Sequence, residues 1–327
     1  MDQFRLLATI GKGNFAKVVL LESKSNNQLY AIKQLKKESL IQNNEVKGPK
    51  IENSVLRKAR EHDHPFIAGL LGTFYSKERL FFILEYYPGG DLSYHIQRGQ
   101  FDVARSRFYA AEVCMALKFM HENGFIHRSL QLDNILLTAE GHIKVIDFIA
   151  SAEGIHDHYG LTTSFRGTIE FMAPEMLLDK PYGRAVDWWA FGIILYQMMT
   201  AQSPFNGRDQ DDVYDAILTA EPPYPEYLPS DAVDLIRKLL VRKPEERLGY
   251  QKGAEEIMDQ VLFNLIDWEA LYKKEVTSPF RPTIKDRNDL SNFDTEITST
   301  DPRLTPVKSA LSPAEQEQFR DFPFSYT

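Results

Sequence analysis

The sequence predicts an α+β protein of two lobes: a small antiparallel sheet with one helix, then a larger, mainly helical lobe, then a C-terminal strap. Three observations carry that expectation. The chain has 327 residues, about two domains at roughly 150 residues each. Short apolar, strand-like runs fill its first third, and helical periodicity takes over from Asp91. Beyond Trp268 it turns rich in Pro, Ser, Thr and Asp with isolated aromatics, which reads as either an extended surface strap or a disordered tail.

Taken in order, residues 4–10, 17–22 and 29–34 are runs of Val, Ile, Leu and Tyr separated by glycines or by Asn26 and Asn27, the punctuation of strands. Residues 45–60 read as a helix with Pro49 near its start, where proline is tolerated. Residues 69–75 and 79–86 read as two more strands, and Pro88, Gly89 and Gly90 as a hinge. Phe108, Ala111, Met115 and Phe119 recur at helical spacing and Asn123-Gly124 ends that helix. Further helices are expected over 183–200, 209–219 and 231–240.

Hydrophobic residues make up 43% and charged residues 26%, enough to bury a core, so global disorder is excluded. The net charge of −8 speaks against a nucleic-acid binder, which needs a basic face. Cys114 is the single cysteine, so there is neither a disulfide framework nor a Cys-based zinc site. The first 13 residues lack the apolar core of a secretory leader. The most apolar stretch, 185–199, carries Asp187 and Gln197 and is shorter than the ~20 residues of a membrane span. A cytoplasmic location is expected.

The run GKGNFAKV at 11–18 is a glycine-rich turn. Glycines let backbone N–H groups approach phosphates, but a dinucleotide fold needs a helix next. A strand follows here, which favours a hairpin over a nucleotide and leaves an ordinary β-turn as the alternative. Ser129 near His127 invites a hydrolase reading, yet no Gly-x-Ser-x-Gly elbow surrounds it. His62 and His64 invite a metal reading, but no further ligands stand at metal spacing.

Later motifs come in a fixed order: Ala31-Ile32-Lys33, Glu52, HRSLQLDN at 127–134, Asp147-Phe148-Ile149, Ala173-Pro174-Glu175, and Asp187 with Gly192. On these the chain resembles a eukaryotic protein kinase domain. Gly89-Gly90-Asp91-Leu92, Ser291-Asn292-Phe293-Asp294, Leu304-Thr305-Pro306 and Phe319-Arg320-Asp321-Phe322 resemble the AGC class, in its protein kinase C and protein kinase N group. Residues 135–142 look closest to fungal members. The resemblance implies a two-lobe kinase fold: a kinase domain over 1–263 (N-lobe 1–85, hinge 85–90, C-lobe 91–263) and an AGC tail over 264–327. Only three residues precede the first strand, so the group's lipid-binding regulatory modules are expected not to be in this chain.

The resemblance further implies ATP and Mg²⁺ as ligands. ATP would meet Ile10, Gly11, Gly13, Ala16, Val18, Ala31, Lys33, Leu84, Glu85, Tyr87 and Asp91. Lys33 would pair with Glu52 and the phosphates. Asn134 and Asp147 would hold the metal. Glu175 would pair with Arg247, Asp187 would brace the catalytic loop, and Arg128 would receive an activation phosphate. Ser164, target of an upstream kinase, and Thr305 would be phosphosites. Phe319, Phe322 and Phe324 would tuck into the small lobe, with Pro323 where relatives carry a phosphosite or an acid. Asp133 and Asp91 point to a basic protein substrate or partner, a hint weakened by Gln197 at the place of another acid.

The reacting end departs from this pattern. Ser129 stands in place of the aspartate that accepts the substrate proton, a loss of about 10²–10⁴ in rate. Gln131 replaces a lysine near the γ-phosphate. Ala16 replaces a glycine, Ile169 a proline and Ala152 a basic residue. Ile149 replaces the glycine after Phe148 and, being β-branched, disfavours positive φ, so the Asp147 loop is expected to be fixed in one pose. The expectation is therefore an ATP·Mg-binding pseudokinase acting as a signalling or scaffold module. The alternative is a slow Ser/Thr protein kinase, since a loose transition state asks little of a base.

Overall fold

A computed structural model describes residues 3–13, 15–156, 160–163, 166–306 and 311–325. The chain forms two compact units: residues 1–64, 68–90 and 283–327, and residues 65–67 and 91–282.

The first unit is built on strands β1 (Phe4–Lys12), β2 (Ala16–Ser23), β3 (Leu29–Lys36), β4 (Leu70–Tyr75) and β5 (Arg79–Glu85), with helices α1 (Lys37–Gln42) and α2 (Lys47–Glu61). The pairs β1–β2, β2–β3, β3–β5 and β4–β5 are all antiparallel. Alternation sends Val19, Leu21, Ile32 and Phe81 to one face as a cluster against Phe4. Their neighbours Val18, Leu20, Ala31, Lys33, Phe82 and Leu84, opposed in register, take the other face. Helix α2 buries Glu52, Val55, Leu56 and Ala59, spaced to share one helical face. Its Pro49 lies in the first turn, where no intrahelical N–H is needed.

Residues 283–306 and 311–325 belong to this same unit, so the strap reading holds over the disordered one. Helix α11 (Thr295–Thr298) and α12 (Pro313–Glu317), the latter closed by a Ser312–Glu315 capping box, break the irregular course. Phe293, Phe319 and Phe322 are buried. The Phe322 ring meets Phe82 edge-on at 5.2 Å. Its carbonyl accepts Asn53 Nδ2 at 3.0 Å and Thr73 Oγ1 at 2.8 Å. Strand β10 (Phe324–Ser325) then pairs antiparallel with β4 as the sixth strand, covering an edge that would otherwise invite association. At the far end of the strap, Gly90 sits at φ 71°, where a Cβ would lie 2.1 Å from Asn292 O.

The second unit is mainly helical. It contains α3 (Leu92–Ile96), α4 (Val103–Glu122), α5 (Pro174–Leu177), α6 (Ala185–Thr200), α7 (Gln210–Thr219), α8 (Ser230–Leu239), α9 (Ala254–Met258) and α10 (Trp268–Tyr272). Short antiparallel pairs join β6 (Phe125–Ile126) to β9 (Ala152–Glu153) and β7 (Ile135–Leu137) to β8 (Ile143–Val145). Helix α4 starts on Asp102, whose side chain accepts Arg105 N–H, and ends at Asn123. Helix α6 is mostly apolar, apart from Asp187, Gln197 and Thr200, and buried along nearly its whole length, as a central helix must be. Among the described residues no helix is long and apolar enough to cross a membrane.

Candidate active site

Each unit holds part of the predicted set. In the first, the β1–β2 hairpin carries Ile10, Gly11, Gly13, Ala16 and Val18. Gly11 stands opposite Val18, and Gly13 N–H donates to Ala16 O at 2.9 Å to close the turn. Val18, Ala31, Lys33 and Leu84 share one sheet face. Small Ala31 between Leu20 and Leu84 leaves that face low enough for a flat ring to lie on it. Lys33 Nζ reaches both oxygens of Glu52 at 2.7 and 2.9 Å, and both side chains are buried. The pair forms because β3 and the inward face of α2 converge there. Glu85 N–H donates to Gly69 O at 3.0 Å, so what Glu85 can offer a base is its carbonyl. The Glu85 carboxylate accepts from Tyr87 OH at 3.0 Å, and Tyr87 OH accepts from Gly69 N–H at 2.8 Å. Burial and the Glu85 charge push the Tyr87 hydroxyl well up, which keeps it protonated.

In the second unit a loop holds Ser129, Gln131 and Asn134 together. Asp187, fully buried, accepts His127 N–H at 2.8 Å, Arg128 N–H at 2.9 Å and His121 Nε2 at 2.8 Å. Burial alone would raise this carboxyl, but the hydrogen bond and charge of His121, with His127 and Arg128 N–H, hold it below the ordinary range. Burial in turn lowers His127. Its Nδ1 accepts Ser129 N–H at 3.3 Å. Asn134 Nδ2 donates to Ser129 O at 2.8 Å and to Ser129 Oγ at 3.2 Å. Thr168 Oγ1 donates to Gln131 Oε1 at 2.9 Å.

Ile146 N–H donates to Asn134 O at 2.9 Å, which brings Asn134 beside the segment leading to Asp147. With Nδ2 turned to Ser129, Asn134 Oδ1 is the end left for a cation. One amide oxygen and one carboxylate suit Mg²⁺, which completes its shell from water and phosphate. The expectation about Ile149 is corrected here. The left-handed residue is Asp147, at φ 61°, and Ile149 is not among the positive-φ residues. The short polar side chain takes the strained position, so the β-branch imposes no penalty and Phe148 is buried beside His127, ring centroids 5.1 Å apart.

Other predicted residues fall as follows. Arg247 Nη1 and Nη2 grip Glu175 at 2.7 and 2.9 Å in the core. Arg128 is engaged by neighbouring segments: Nε donates to Ala150 O at 2.6 Å, Nη2 to Ser151 O at 2.8 Å and Nη1 to Tyr182 OH at 3.1 Å. An incoming phosphate would compete with these acceptors. Ser164 lies outside the described residues. Thr305 is held by Arg79, whose Nη2 donates to its carbonyl. Lys37, Asn53 and Thr73, which grip the tail, had no signal in the sequence. Lys37 Nζ donates to Gln316 Oε1 at 2.8 Å and lies 4.3 Å from the Tyr75 ring.

Asp91 opens the second unit and caps α3 by accepting Tyr94 N–H at 2.7 Å. Its carboxyl is pushed up to about 6, by burial first and by Asp133 next, against that capping bond. An unfolded aspartate titrates near ~3.9, so folding takes up a proton between the two values. The unfavourable contribution is absent below about pH 4 and complete above about pH 6. Stability is therefore expected to fall as pH rises through that window. Asp91→Asn should flatten this part of the profile in chemical denaturation. An unchanged slope would contradict the assignment.

Residues 4–263 match the protein kinase domain family, and residues 284–324 match the protein kinase C terminal domain. Over 99% of its length the chain is 55% identical to a protein kinase C-like protein of Cochliobolus heterostrophus, and over its full length 55% identical to a protein kinase C of Aspergillus fumigatus. It is 43% identical to the protein kinase C eta type of Mus musculus, over 99% of this chain and 48% of that protein. The chain spans 28% and 29% of the two fungal relatives' lengths.

Proposed function

We propose, from the premise that this chain belongs to the protein kinase family and carries a protein kinase C terminal domain, that it holds ATP·Mg but transfers the γ-phosphate poorly. On this reading it serves in the cytoplasm as a pseudokinase, a signalling or scaffold module of a protein kinase C-like protein. The observation that carries the reading is the asymmetry of its polar groups. The Lys33–Glu52 pair is closed at 2.7 Å, and Asn134 and Asp147 keep the oxygens a hard cation needs. At the reacting position Ser129 offers only a hydroxyl, already an acceptor for Asn134 Nδ2. A neutral hydroxyl is a very poor base near pH 7. Asn134 and Asp147 would hold Mg²⁺, which would supply positive charge against the phosphates. Lys33 would orient the phosphates and Asp91 the sugar.

The second reading, a slow Ser/Thr kinase, draws on the intact brace: Asp187 still fixes residues 127 and 128, and positioning supplies much of phosphoryl transfer. Asp133 and Asp91 favour a basic Ser/Thr peptide as substrate or partner, and Ser164 and Thr305 are the proposed phosphosites. The deciding experiment is γ-phosphate transfer by the unmodified chain to a basic Ser/Thr peptide. The module reading expects turnover at least about a hundredfold below a version with the aspartate restored. Measurable turnover of the unmodified chain, within tenfold of that version, would make the chain an enzyme.

A further inference from the structure

A cavity of about 220 Å³ lies in the second unit between the β7–β8 hairpin and residues 274–281 beyond α10. It is a built feature. Ser278 Oγ donates to Gly141 O at 2.8 Å. Gly141, at φ 89°, lies so close that any Cβ would stand 1.9 Å from Phe280 O. Phe280 is held in turn by the Arg105 guanidinium at 3.6 Å and the His95 ring at 5.2 Å. The segment that walls the cavity is thus pinned on both sides.

Its lining is cationic in a chain of net charge −8. Lys144, on β8, is buried, and its Nζ donates to Ile67 O at 3.2 Å. Lys274, left-handed at φ 56° just past α10, and Arg281 are exposed at the rim. Among the described residues neither rim cation makes a side-chain hydrogen bond or ion pair, and neither does Glu140, the one acid of the lining. His142 Nδ1 is tied to the buried Glu112 at 2.6 Å, whose other oxygen takes Ile143 N–H at 2.9 Å, so that acid is already satisfied. Thr138 Oγ1 accepts His142 N–H at 3.3 Å, which leaves the hydroxyl proton to donate.

Three cations and a hydroxyl donor converging on one small space suit a tetrahedral dianion better than a single carboxylate. The volume is below the roughly 300 Å³ of sites for larger ligands. We propose that this cavity binds a phosphate group, free in solution or carried on a phosphoserine side chain. Neither the kinase chemistry nor the Lys33 face enters this assignment.

Isothermal titration of the whole chain at fixed ionic strength tests it, with inorganic phosphate, a phosphoserine peptide and the same peptide unphosphorylated. Saturable binding is expected, weakened at least tenfold in a Lys274→Ala/Arg281→Ala double variant. Because both side chains are exposed, that variant should melt at the unmodified temperature without ligand. Binding of the phosphopeptide but not of inorganic phosphate assigns the site to a phosphorylated residue. Binding of inorganic phosphate as well assigns it to the free anion. Equal affinity in the double variant, or no saturable binding of either probe, overturns the proposal.

Discussion

Ser129→Asp combined with Gln131→Lys is expected to raise γ-phosphate transfer to a basic Ser/Thr peptide by about 10²–10⁴-fold, or roughly 3–5 kcal/mol of barrier. The loop is ready for both changes. Asn134 Nδ2 already reaches the side chain at position 129, at 3.2 Å, so a carboxylate there would arrive with one charge-assisted hydrogen bond. Asp187 fixes the backbone just before it through His127 and Arg128 N–H. Lysine at 131 would lose the 2.9 Å bond from Thr168 Oγ1, but on the proposed function it would supply a cation to the charge of the transition state. Single-turnover kinetics at saturating ATP·Mg measures the gain. A change below tenfold would mean that the missing base is not what limits this chain.

Phe322→Ala is expected to remove about 3–5 kcal/mol of stability, the range for truncating a buried aromatic. The ring is 1% exposed and packs against Phe82, which lies opposite Lys33 in the sheet. The Phe322 carbonyl is gripped by Asn53, the residue after Glu52 on α2. Losing the anchor should therefore loosen the Lys33–Glu52 pair and weaken nucleotide binding as well. Phe322→Leu, close in volume, should cost less than about 1.5 kcal/mol. Chemical denaturation measures both. An alanine variant within 1 kcal/mol of the unmodified chain would show that the tail is only lightly held.

The parts of this molecule legible in its sequence are those governed by local periodicity or by a motif of fixed spacing. Strands β1 to β5 follow from short apolar runs and the turn residues between them, and α4 from the Phe108–Phe119 repeat. Motif order singles out Lys33 and Glu52, although only the fold brings positions 19 apart in the chain to 2.7 Å. The tail's outcome was not legible. Its polar composition fits disorder equally well, and its attachment rests on scattered residues such as Lys37, Asn53 and Thr73, none unusual alone. The two-residue strand β10 is too short to show a period. The sequence shows the backbone preference of Ile149 but not which position of the loop takes positive φ. The structure gives that position to Asp147.

The most direct measurement of the central claim is isothermal titration of the unmodified chain with ATP, with and without Mg²⁺. The proposed function predicts saturable binding, tighter when Mg²⁺ is present, because Asn134 and Asp147 offer the oxygens that a hard cation needs. No saturable binding with Mg²⁺ present would contradict it and leave the Lys33–Glu52 pair as a structural remnant.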